Sequence, residues 1–292
     1  MLDNRIDTFL YVCKYMSYTK AAAELHITQP AVSQHIKYLE GYYNTKLFSQ
    51  NGKKLSLTDS GHILFDKLNK MKNDELKIMD ALASANDNTA TISFGVTMTI
   101  GEYVIADPIS KYLSKNPDIN FKIRYGNTKT LLELLQNGEI DFALVEGYFP
   151  MNEYETLRFS TEDFIPVCNS THHFVKRPQN INDLFEERLL IREPGSGTRN
   201  ILERSLATQN YSIEDFRHYI QVENMHSIIQ LLTMDCGISF LYKAAVKNEL
   251  ANNILKEINL KDFKIKHDFT FLWQKESIFS EEIRRICLDL SN

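Results

Sequence analysis

Apolar residues recur at helical spacing near the start of the chain. Four of them predict a helix from about Arg5 to Tyr15: Ile6, Phe9, Leu10 and Cys13. The stretch SYTKAAAELHIT follows and predicts a short helix whose alanines let a neighbouring helix approach closely. Ser17 or Thr19 is suited to cap this second helix.

A third helix is predicted from Gln29 to about Tyr42. Thr28 is placed as its N-cap, and a proline in the first turn costs no hydrogen bond there. The inward stripe consists of Val32, Ile36 and Leu39. The opposite side carries polar groups able to hydrogen-bond base edges or phosphates, namely Gln29, Ser33, Gln34 and Lys37. This is typical of a recognition helix, although a three-helix bundle with a solvated polar face gives the same pattern.

The residues after this helix alternate between apolar and polar on both sides of Asn51-Gly52, in the stretch KLFSQNGKKLSLT. Such alternation around Asn-Gly predicts a β-hairpin. Its tip carries Lys53 and Lys54, which are placed to neutralise phosphates and to add affinity rather than base discrimination. We therefore expect a winged helix-turn-helix over residues 1–58.

A long helix is predicted from Asp59 to about Ala85, because Thr58 suits an N-cap and no proline occurs between Thr58 and Pro108. Apolar residues at spacings of four and three favour pairing with a partner helix over packing on the same domain alone. These residues are Leu64, Leu68, Met71, Ile78 and Leu82. The next residues, 86–89, are typical of a hinge. Residues 59–87 are thus expected to form a dimerising linker helix and hinge.

From Thr91 onwards, short apolar strands alternate with helical segments. ISFGV, a helix to about Lys115, INFKIRY, a second helix and DFALV make a βαβαβ unit, which predicts a parallel sheet. FIPVC, LLIRE, HYIQVE and GISFL continue the alternation, and HDFTFLW with a helix from Ser280 closes the chain. Residues 88–292 should therefore form two α/β lobes, lobe I over 88–160 and 268–292 and lobe II over 161–267.

Composition adds a difference in charge between the two ends. The chain has 292 residues, 43% hydrophobic and 24% charged, as expected for a globular protein. Residues 1–60 hold seven lysines and arginines against five acidic residues, whereas the remainder holds 26 against 33. The net charge of −5 therefore hides a slightly basic first segment, which is compatible with a nucleic-acid partner.

Several classes of function find no support in the residues. The four cysteines, at positions 13, 168, 236 and 287, form no CxxC pair and no zinc-ligand spacing, so we expect free thiols and no metal. No nucleophile elbow, P-loop or other catalytic motif stands out, so neither a cofactor nor an enzymatic activity is predicted. Without a bilayer-length apolar run or a signal-peptide pattern, a cytoplasmic protein with no membrane partner is expected.

The stretch AAAELHITQPAVSQHIKYLEGYYNTKLFSQNGKKLSLTDSG closely resembles the N-terminal module of LysR-type transcriptional regulators. The resemblance implies a homodimer or a dimer of dimers in which the long helix pairs two modules on promoter DNA. It assigns DNA contacts to Thr28, Gln29, Ser33, Gln34, Lys37, Lys53 and Lys54. One departure is the wing, where the family usually carries arginines near Gln50 but this chain has Ser49-Gln50-Asn51. Backbone contacts there are expected to be weaker.

Two segments of the body open helices at the carboxyl ends of predicted strands. They are Thr97-Met98-Thr99-Ile100-Gly101 and the segment REPGSGTR over residues 192–199. Free amides and hydroxyls at such helix starts form anion sites, the glycines let backbone approach a ligand, and Arg199 is available as a bidentate clamp. The alternative is that both segments are only turns and helix caps.

Both segments resemble the effector-contacting loops of the same family, especially the branch with Thr-Ile-Gly-Glu-Tyr and Pro-Gly-Ser-Gly-Thr-Arg. The resemblance implies a two-lobed effector domain with the fold of periplasmic binding proteins. It favours effector contacts at Thr97, Thr99, Ser196, Gly197 and Thr198. Met98, Gly195 and Arg199 lie in the same segments, and Thr128 at the start of the second helix is a weaker candidate.

Glu146 follows DFALV and should also reach the cleft between the lobes. A carboxylate there is unfavourable for a bare anion and suits a ligand that also offers a hydrogen-bond donor or a cation. Pairing with Arg192 or Arg199 is the alternative.

These observations together predict a sequence-specific DNA-binding regulator of transcription that responds to a small anionic metabolite bound between two lobes. Two other functions remain open. One is a ligand-independent DNA-binding protein whose body serves only assembly. The other is an enzyme on the two-lobe fold, which the missing catalytic set disfavours.

Overall fold

The computed structural model describes residues 3–52, 54–84 and 90–291. Lys53 of the predicted wing and the predicted hinge at 86–89 lie outside the described residues. The chain divides into two units. The first holds residues 1–87 with the short segments 136–138 and 276–278, and the second holds 88–135, 139–275 and 279–292.

The first unit begins with three helices and a hairpin. The helices are α1 (Asn4–Tyr15), α2 (Tyr18–Glu24) and α3 (Gln29–Tyr42), and the antiparallel hairpin consists of β1 (Phe48–Asn51) and β2 (Lys54–Leu57). The Ser17 hydroxyl caps α2 by accepting from the Lys20 amide, and the Thr28 hydroxyl caps α3 by accepting from the Ala31 amide. Side-chain oxygens at these positions satisfy amides that have no partner within the helix.

The inward stripe of α3 forms the centre of the first core. Val32, Ile36 and Leu39 are each less than 5% exposed and pack with residues of α1, α2 and the hairpin. Burying each such side chain contributes about 1.5–3 kcal/mol. Thr8 of α1 and the Nδ1 atom of His35 in α3 are joined by a hydrogen bond of 2.8 Å, so the helix is fixed against α1 by polar as well as apolar contacts.

The long helix α4 (Asp59–Ser84) does not carry its apolar stripe as one continuous seam. Leu68 is 4% exposed and, with the half-buried Leu64, packs into the core of the first unit. Met71, Ile78 and Leu82 are 51%, 43% and 68% exposed. The predicted stripe thus joins two different surfaces of α4, one packed in the core of the first unit and one exposed. The sequence could not separate them, because a heptad-like spacing arises whether the partner is the same domain or another helix.

The second unit is built on a nine-stranded mixed sheet. Its elements in chain order are β3 (Ala90–Val96), α5 (Met98–Tyr103), α6 (Ala106–Lys115), β4 (Ile119–Tyr125), α7 (Thr128–Gln136), β5 (Phe142–Val145), β6 (Tyr154–Asn169), β7 (Arg188–Ile191), α8 (Gly197–Thr208), β8 (His218–Gln221), α9 (Met225–Thr233), β9 (Ile238–Tyr242), α10 (Lys247–Ala251), β10 (Leu255–Glu257), β11 (Ile265–Gln274) and α11 (Ser280–Ser291). Short 3₁₀ turns occur at Met151–Glu153, Ile181–Leu184, Ile213–Asp215 and Lys243–Val246.

The strand order is β4-β3-β5-β11-β6-β9-β7-β8, with β10 paired to β6. β3 pairs in parallel with β4 and β5, and β7 pairs in parallel with β8 and β9. β6 runs antiparallel to β9 and β10. β11 runs antiparallel to both β5 and β6. The prediction of a parallel sheet therefore holds for these two sets of three strands, and the strands β6 and β11, which cross between the lobes, make the whole sheet mixed.

The predicted lobe boundaries fall inside β6 and β11, which continue from one lobe into the other. β6 begins at Tyr154, well before the predicted run FIPVC. The sequence pattern did not indicate the first half of this strand, because that half carries many polar and charged residues. The predicted single helix after β3 is also divided, into α5 and α6. The amides of Val104 and Ile105 both bond to the Ile100 carbonyl, which ends α5 and turns Ile105 into the core.

Candidate DNA-reading surface and effector cleft

The polar residues predicted to read DNA lie on the free face of α3. Gln29, Gln34 and Lys37 are exposed, and Ser33 is half-buried. Thr28 is exposed and serves as the N-cap, and Lys54 is exposed at the start of β2. The opposite face is held by the buried stripe, so these side chains project from a backbone that is fixed by packing.

The surface extends beyond the predicted residues through a row of aromatic side chains. Tyr38 stacks on Tyr42, and the Arg5 guanidinium lies 3.6 Å from the centroid of the Tyr38 ring. Both tyrosines are at least half exposed. Their spacing of four residues on α3 is a signal that sequence reasoning missed.

In the second unit, segments from both lobes meet at Glu146, the residue that follows β5. Its Oε1 atom accepts hydrogen bonds from the hydroxyls of Thr99 in α5, at 3.0 Å, and Thr198 in α8, at 2.8 Å. The Thr128 hydroxyl, at the start of α7, donates to the Glu146 carbonyl at 3.0 Å. Glu146 is 1% exposed, so a single buried carboxyl joins the lobe of α5 and the lobe of α8.

Two glycines allow this close approach of backbones. A Cβ atom at Gly197 would lie 2.6 Å from the Glu146 carbonyl oxygen and 2.7 Å from its Cγ. Gly147 has a φ of +88°, and a Cβ there would lie 2.8 Å from the Gly197 Cα. The start of α8 therefore lies directly against the end of β5, which places the first turn of this helix at the carboxylate.

The residues that directly precede α5 and α8 do not act as side-chain caps. Thr97 and Ser196 occupy the N-cap positions of α5 and α8, but neither side chain makes a capping hydrogen bond. Thr97 is 2% exposed, and its hydroxyl has no hydrogen-bond partner among the described residues. The alternative that these residues are only helix caps is therefore not supported by their geometry.

Further polar atoms at the cleft are buried without a partner in the described part of the chain. They are Oε2 of Glu146, Nη1 of Arg192 and the hydroxyl of Tyr242. Buried polar groups are almost always hydrogen-bonded, because leaving one without a partner costs about 1–3 kcal/mol. Such a concentration of unsatisfied donors and acceptors is what a polar ligand site presents.

Burial dominates the titration of Glu146. Loss of solvent raises the pKa of its carboxyl from 4.5 to about 7, against the opposing effects of the Thr198 and Thr99 hydroxyls, the Arg192 charge and, least of all, the Thr97 hydroxyl. Burial raises the pKa of Tyr242 well above its ordinary value, and the Glu146 charge raises it further. The carboxyl therefore changes its charge near neutral pH, where an ordinary glutamate is fully ionised.

The two arginines of the second loop are already paired. Arg192 makes a bidentate interaction with Glu193, through Nε at 2.8 Å and Nη2 at 2.9 Å. Arg199 donates to Glu203 at 2.7 Å, and to Gln221 and the Arg192 carbonyl. Neither forms the ion pair with Glu146 that sequence reasoning left open, and Arg199 is not available as a clamp in this arrangement.

The remaining predicted cleft residues lie in the same two loops. Met98 is half-buried in the first turn of α5. Gly195 has a φ of +92°, a left-handed conformation that favours glycine, and it precedes α8. The structure thus brings nine of the ten predicted effector residues into the two loops and the Glu146 junction, with Thr128 bonded to that junction as the tenth.

Metal binding, thiol reactivity and membrane spanning are three further properties of the described residues. No group of three or more metal-ligating side chains occurs among residues 3–52, 54–84 and 90–291. Burial raises the pKa of the thiols of Cys13 and Cys168 to about 12, and that of Cys287 also rises. These three thiols are therefore poor nucleophiles. Within the same ranges, no helix is long and apolar enough to cross a membrane.

A winged helix-turn-helix followed by a two-lobe domain, with a buried cluster of polar groups where the lobes meet, defines a ligand-responsive regulator of transcription. The chain belongs to the LysR family: residues 4–62 match the model of the bacterial regulatory helix-turn-helix protein, lysR family, and residues 85–287 match the LysR substrate binding domain. It is therefore a DNA-binding regulator of transcription with an effector-binding domain, and it is not an enzyme.

Three known proteins illustrate the similarity. The chain is 25% identical to the HTH-type transcriptional regulator CysL of Bacillus subtilis over 270 residues, which is 91% of this chain and 89% of that protein. It is 26% identical over 276 residues to a probable RuBisCO transcriptional regulator of Emiliania huxleyi, covering 92% and 87% of the two chains. The structure of ArgP from Mycobacterium tuberculosis has a TM-score of 0.68 at 17% identity, covering 100% of this chain and 98% of ArgP.

Proposed function

We propose that the effector of this regulator is a small metabolite with an anionic group, bound where α5, α8 and the end of β5 meet. Its contacts are Thr97, Thr99, Ser196, Gly197 and Thr198, in the loops of the family branch with the Thr-Ile-Gly-Glu-Tyr and Pro-Gly-Ser-Gly-Thr-Arg motifs. The observation that carries this proposal is the buried Thr97 hydroxyl, which does not cap α5 and makes no hydrogen bond of normal geometry with the described residues, although it lies close enough to the Glu146 carboxyl to oppose weakly the rise in its pKa on burial. Nearby, the start of α8 offers amides that no side chain caps.

The first unit supplies the DNA-reading function in this proposal. The polar face of α3 reads base edges through Gln29, Ser33, Gln34 and Lys37, and the wing lysines contact phosphates. Two copies pair through apolar residues exposed on α4, among them Met71, Ile78 and Leu82. We place the protein in the cytoplasm, together with its promoter.

In this proposal, the affinity for the effector and the geometry of the DNA-bound state are coupled reciprocally.

Thr97→Val tests the effector site, because valine keeps the shape of threonine and removes only the hydroxyl. Melting of the full-length protein is followed by the fluorescence of Trp273, the chain's single tryptophan, which is buried in the second unit. We expect the free variant to be more stable by about 1 kcal/mol, because an unsatisfied buried hydroxyl is gone. Added sulfate, phosphate, carboxylates or amino acids should stabilise the variant less than the unmodified protein. The apparent affinity calculated from this stabilisation should be at least tenfold lower.

Thr130→Val is the matched control, since Thr130 is exposed on α7 and its hydroxyl bonds to Asn127. It should leave ligand-induced stabilisation unchanged. If Thr97→Val binds the compounds as well as the unmodified protein, Thr97 is not an effector contact. If no compound stabilises the unmodified protein and its promoter footprint responds to none, the effector proposal fails in favour of a ligand-independent regulator.

A further inference from the structure

We propose that Glu146 determines which effectors the cleft accepts, selecting small anionic metabolites that also present an N–H or O–H donor, such as α-amino or α-hydroxy carboxylates. This inference rests on the proposed effector function and narrows its ligand class. It also assigns a reason for a carboxyl group at the centre of a site whose helix starts favour anions.

The hydrogen bonds of Glu146 leave one of its two carboxyl oxygens for a ligand. Oε1 is occupied by the hydroxyls of Thr99 and Thr198. Oε2 is buried and accepts no hydrogen bond of normal geometry from the described residues, and the Thr97 hydroxyl has only the weakest of the effects that oppose the rise of the Glu146 pKa on burial. An ionised carboxylate oxygen can only accept a hydrogen bond, so the ligand atom that satisfies Oε2 must be a donor.

The charges around this group oppose a bare anion. Arg192 and Arg199 are neutralised by Glu193 and Glu203, so neither brings an unpaired positive charge to the cleft. With Glu146 ionised, the cluster carries more negative than positive charge. A sulfate or simple carboxylate would add like charge beside a buried carboxylate, whereas an ammonium or hydroxyl on the same ligand would pair with it.

The hydrogen bonds that hold Glu146 come from both lobes. Thr99 and Thr198 hold the same Oε1 atom from different lobes, and Thr128 holds the Glu146 carbonyl. The glycine contacts at positions 147 and 197 fix the backbone on which the side chain is mounted. A donor bound at Oε2 therefore meets an acceptor that both lobes already hold in place, which is the preorganisation that specific recognition requires.

The test uses matched sets of ligands that differ only in the donor. Propionate, lactate and alanine form one set, succinate, malate and aspartate form another, and inorganic sulfate and phosphate represent bare anions. Calorimetry measures their affinity for the full-length protein, for Glu146→Gln and for Glu186→Gln. Glu186 is a charge-matched control that lies exposed in a surface pair with Arg217.

We expect the unmodified protein to bind the amino or hydroxy member of a set at least tenfold more tightly than the unsubstituted member. Glu146→Gln should lose most of this preference and bind sulfate and the unsubstituted carboxylates more tightly, because its amide can also donate. Glu186→Gln should behave like the unmodified protein. Equal affinities within every set for the unmodified protein would overturn the proposal while leaving the effector site intact.

A measurement on the unmodified protein keeps the test decisive even where Glu146→Gln does not fold. Binding a donor favours the ionised carboxyl, so amino or hydroxy acids should release protons near neutral pH, and bare anions should take them up. The charged and titratable groups beside the carboxyl are Arg192 and Tyr242. Proton uptake with the preferred ligands contradicts the proposal. Absence of binding by every compound contradicts the effector function itself.

Discussion

The recognition helix α3 and the cleft around Glu146 place their polar residues in opposite environments. On α3 the predicted contact residues Gln29, Gln34 and Lys37 are exposed, and the helix is held by a buried stripe on its other side. In the cleft, Thr97, Glu146 and Arg192 are buried, and each keeps an atom without a partner among the described residues.

The difference shows two ways in which a fold prepares a polar contact. DNA is large and carries its charge to the surface, so solvated side chains on a fixed helix are sufficient. A small metabolite must be removed from water, so the site holds unsatisfied groups whose cost the ligand removes on binding. Substitutions should therefore affect stability strongly in the cleft and weakly on α3.

The largest expected effect comes from Gly197→Ala. The added methyl group would meet the Glu146 carbonyl oxygen at 2.6 Å, and this backbone atom cannot move without disturbing β5. We expect a loss of about 3 kcal/mol or more in the stability of the second unit, seen as an earlier transition of Trp273 fluorescence.

Gly41→Ala provides the contrast on the recognition helix. Gly41 lies in α3, is exposed, and has no atom within 4 Å of an added Cβ. Alanine there should stabilise the first unit by about 0.5–1 kcal/mol, because glycine costs helix stability. Circular dichroism in the far ultraviolet should show this change while Trp273 fluorescence stays constant. Similar losses for both glycines would break the comparison between the two regions.

The next effect is a pH dependence that belongs to the cleft alone. The pKa of Glu146 is about 7 in the folded protein and 4.5 ordinarily. Below pH 4.5 the carboxyl is protonated in both the folded and the unfolded chain, so burying it imposes no charge penalty on the folded state. As the pH rises from 4.5 to 7, the unfolded chain releases the proton first, and the folded state loses about 3 kcal/mol. Above pH 7 no further change is expected from this group.

Glu146→Gln removes this titration and leaves all others in place. The difference in unfolding free energy between the variant and the unmodified protein should therefore grow in favour of the variant from pH 4.5 to 7. Denaturant titrations followed by Trp273 fluorescence measure this difference at each pH. A difference that stays constant over this range would show that the carboxyl is not held in a dry environment.

The two regions also differ in how far their sequence could reveal them. Thr28, Pro30 and the stripe at 32, 36 and 39 predicted α3 with its bounds, because caps and helical periodicity are local properties. The loop residues at 97–99 and 195–199 were predicted from helix starts and from the family resemblance. Both of these signals identify positions along the chain rather than partners in space.

What the sequence did not reveal depends on contacts between distant residues. Glu146 was expected at the cleft, but its bonds to Thr99 and Thr198 join residues 47 and 52 positions away. The pairing of Arg199 with Glu203 also removes the clamp that the motif suggested. The length of β6 was missed because half of the strand is polar, and the splitting of the α4 stripe required knowledge of what each face contacts.

The smallest expected change in stability is that of Gln34→Ala on α3. This substitution should instead change how well the protein distinguishes one DNA sequence from another. Gln34→Ala removes an exposed side chain, so the melting of either unit should change by less than about 0.5 kcal/mol. If Gln34 reads a base, the variant should lose about 1–3 kcal/mol of binding to the operator and little to scrambled DNA. Binding titrations on both sequences at one salt concentration measure this difference.

Lys54→Ala is the matched comparison in the wing, where a phosphate contact carries no sequence information. It should weaken binding to both DNA sequences by a similar factor and reduce the slope of log affinity against log salt by about 1. If Gln34→Ala instead weakens both sequences equally, its side chain contacts the backbone. Sequence reading would then fall to the other polar residues of α3, and the free face of this helix would act mainly as an electrostatic surface.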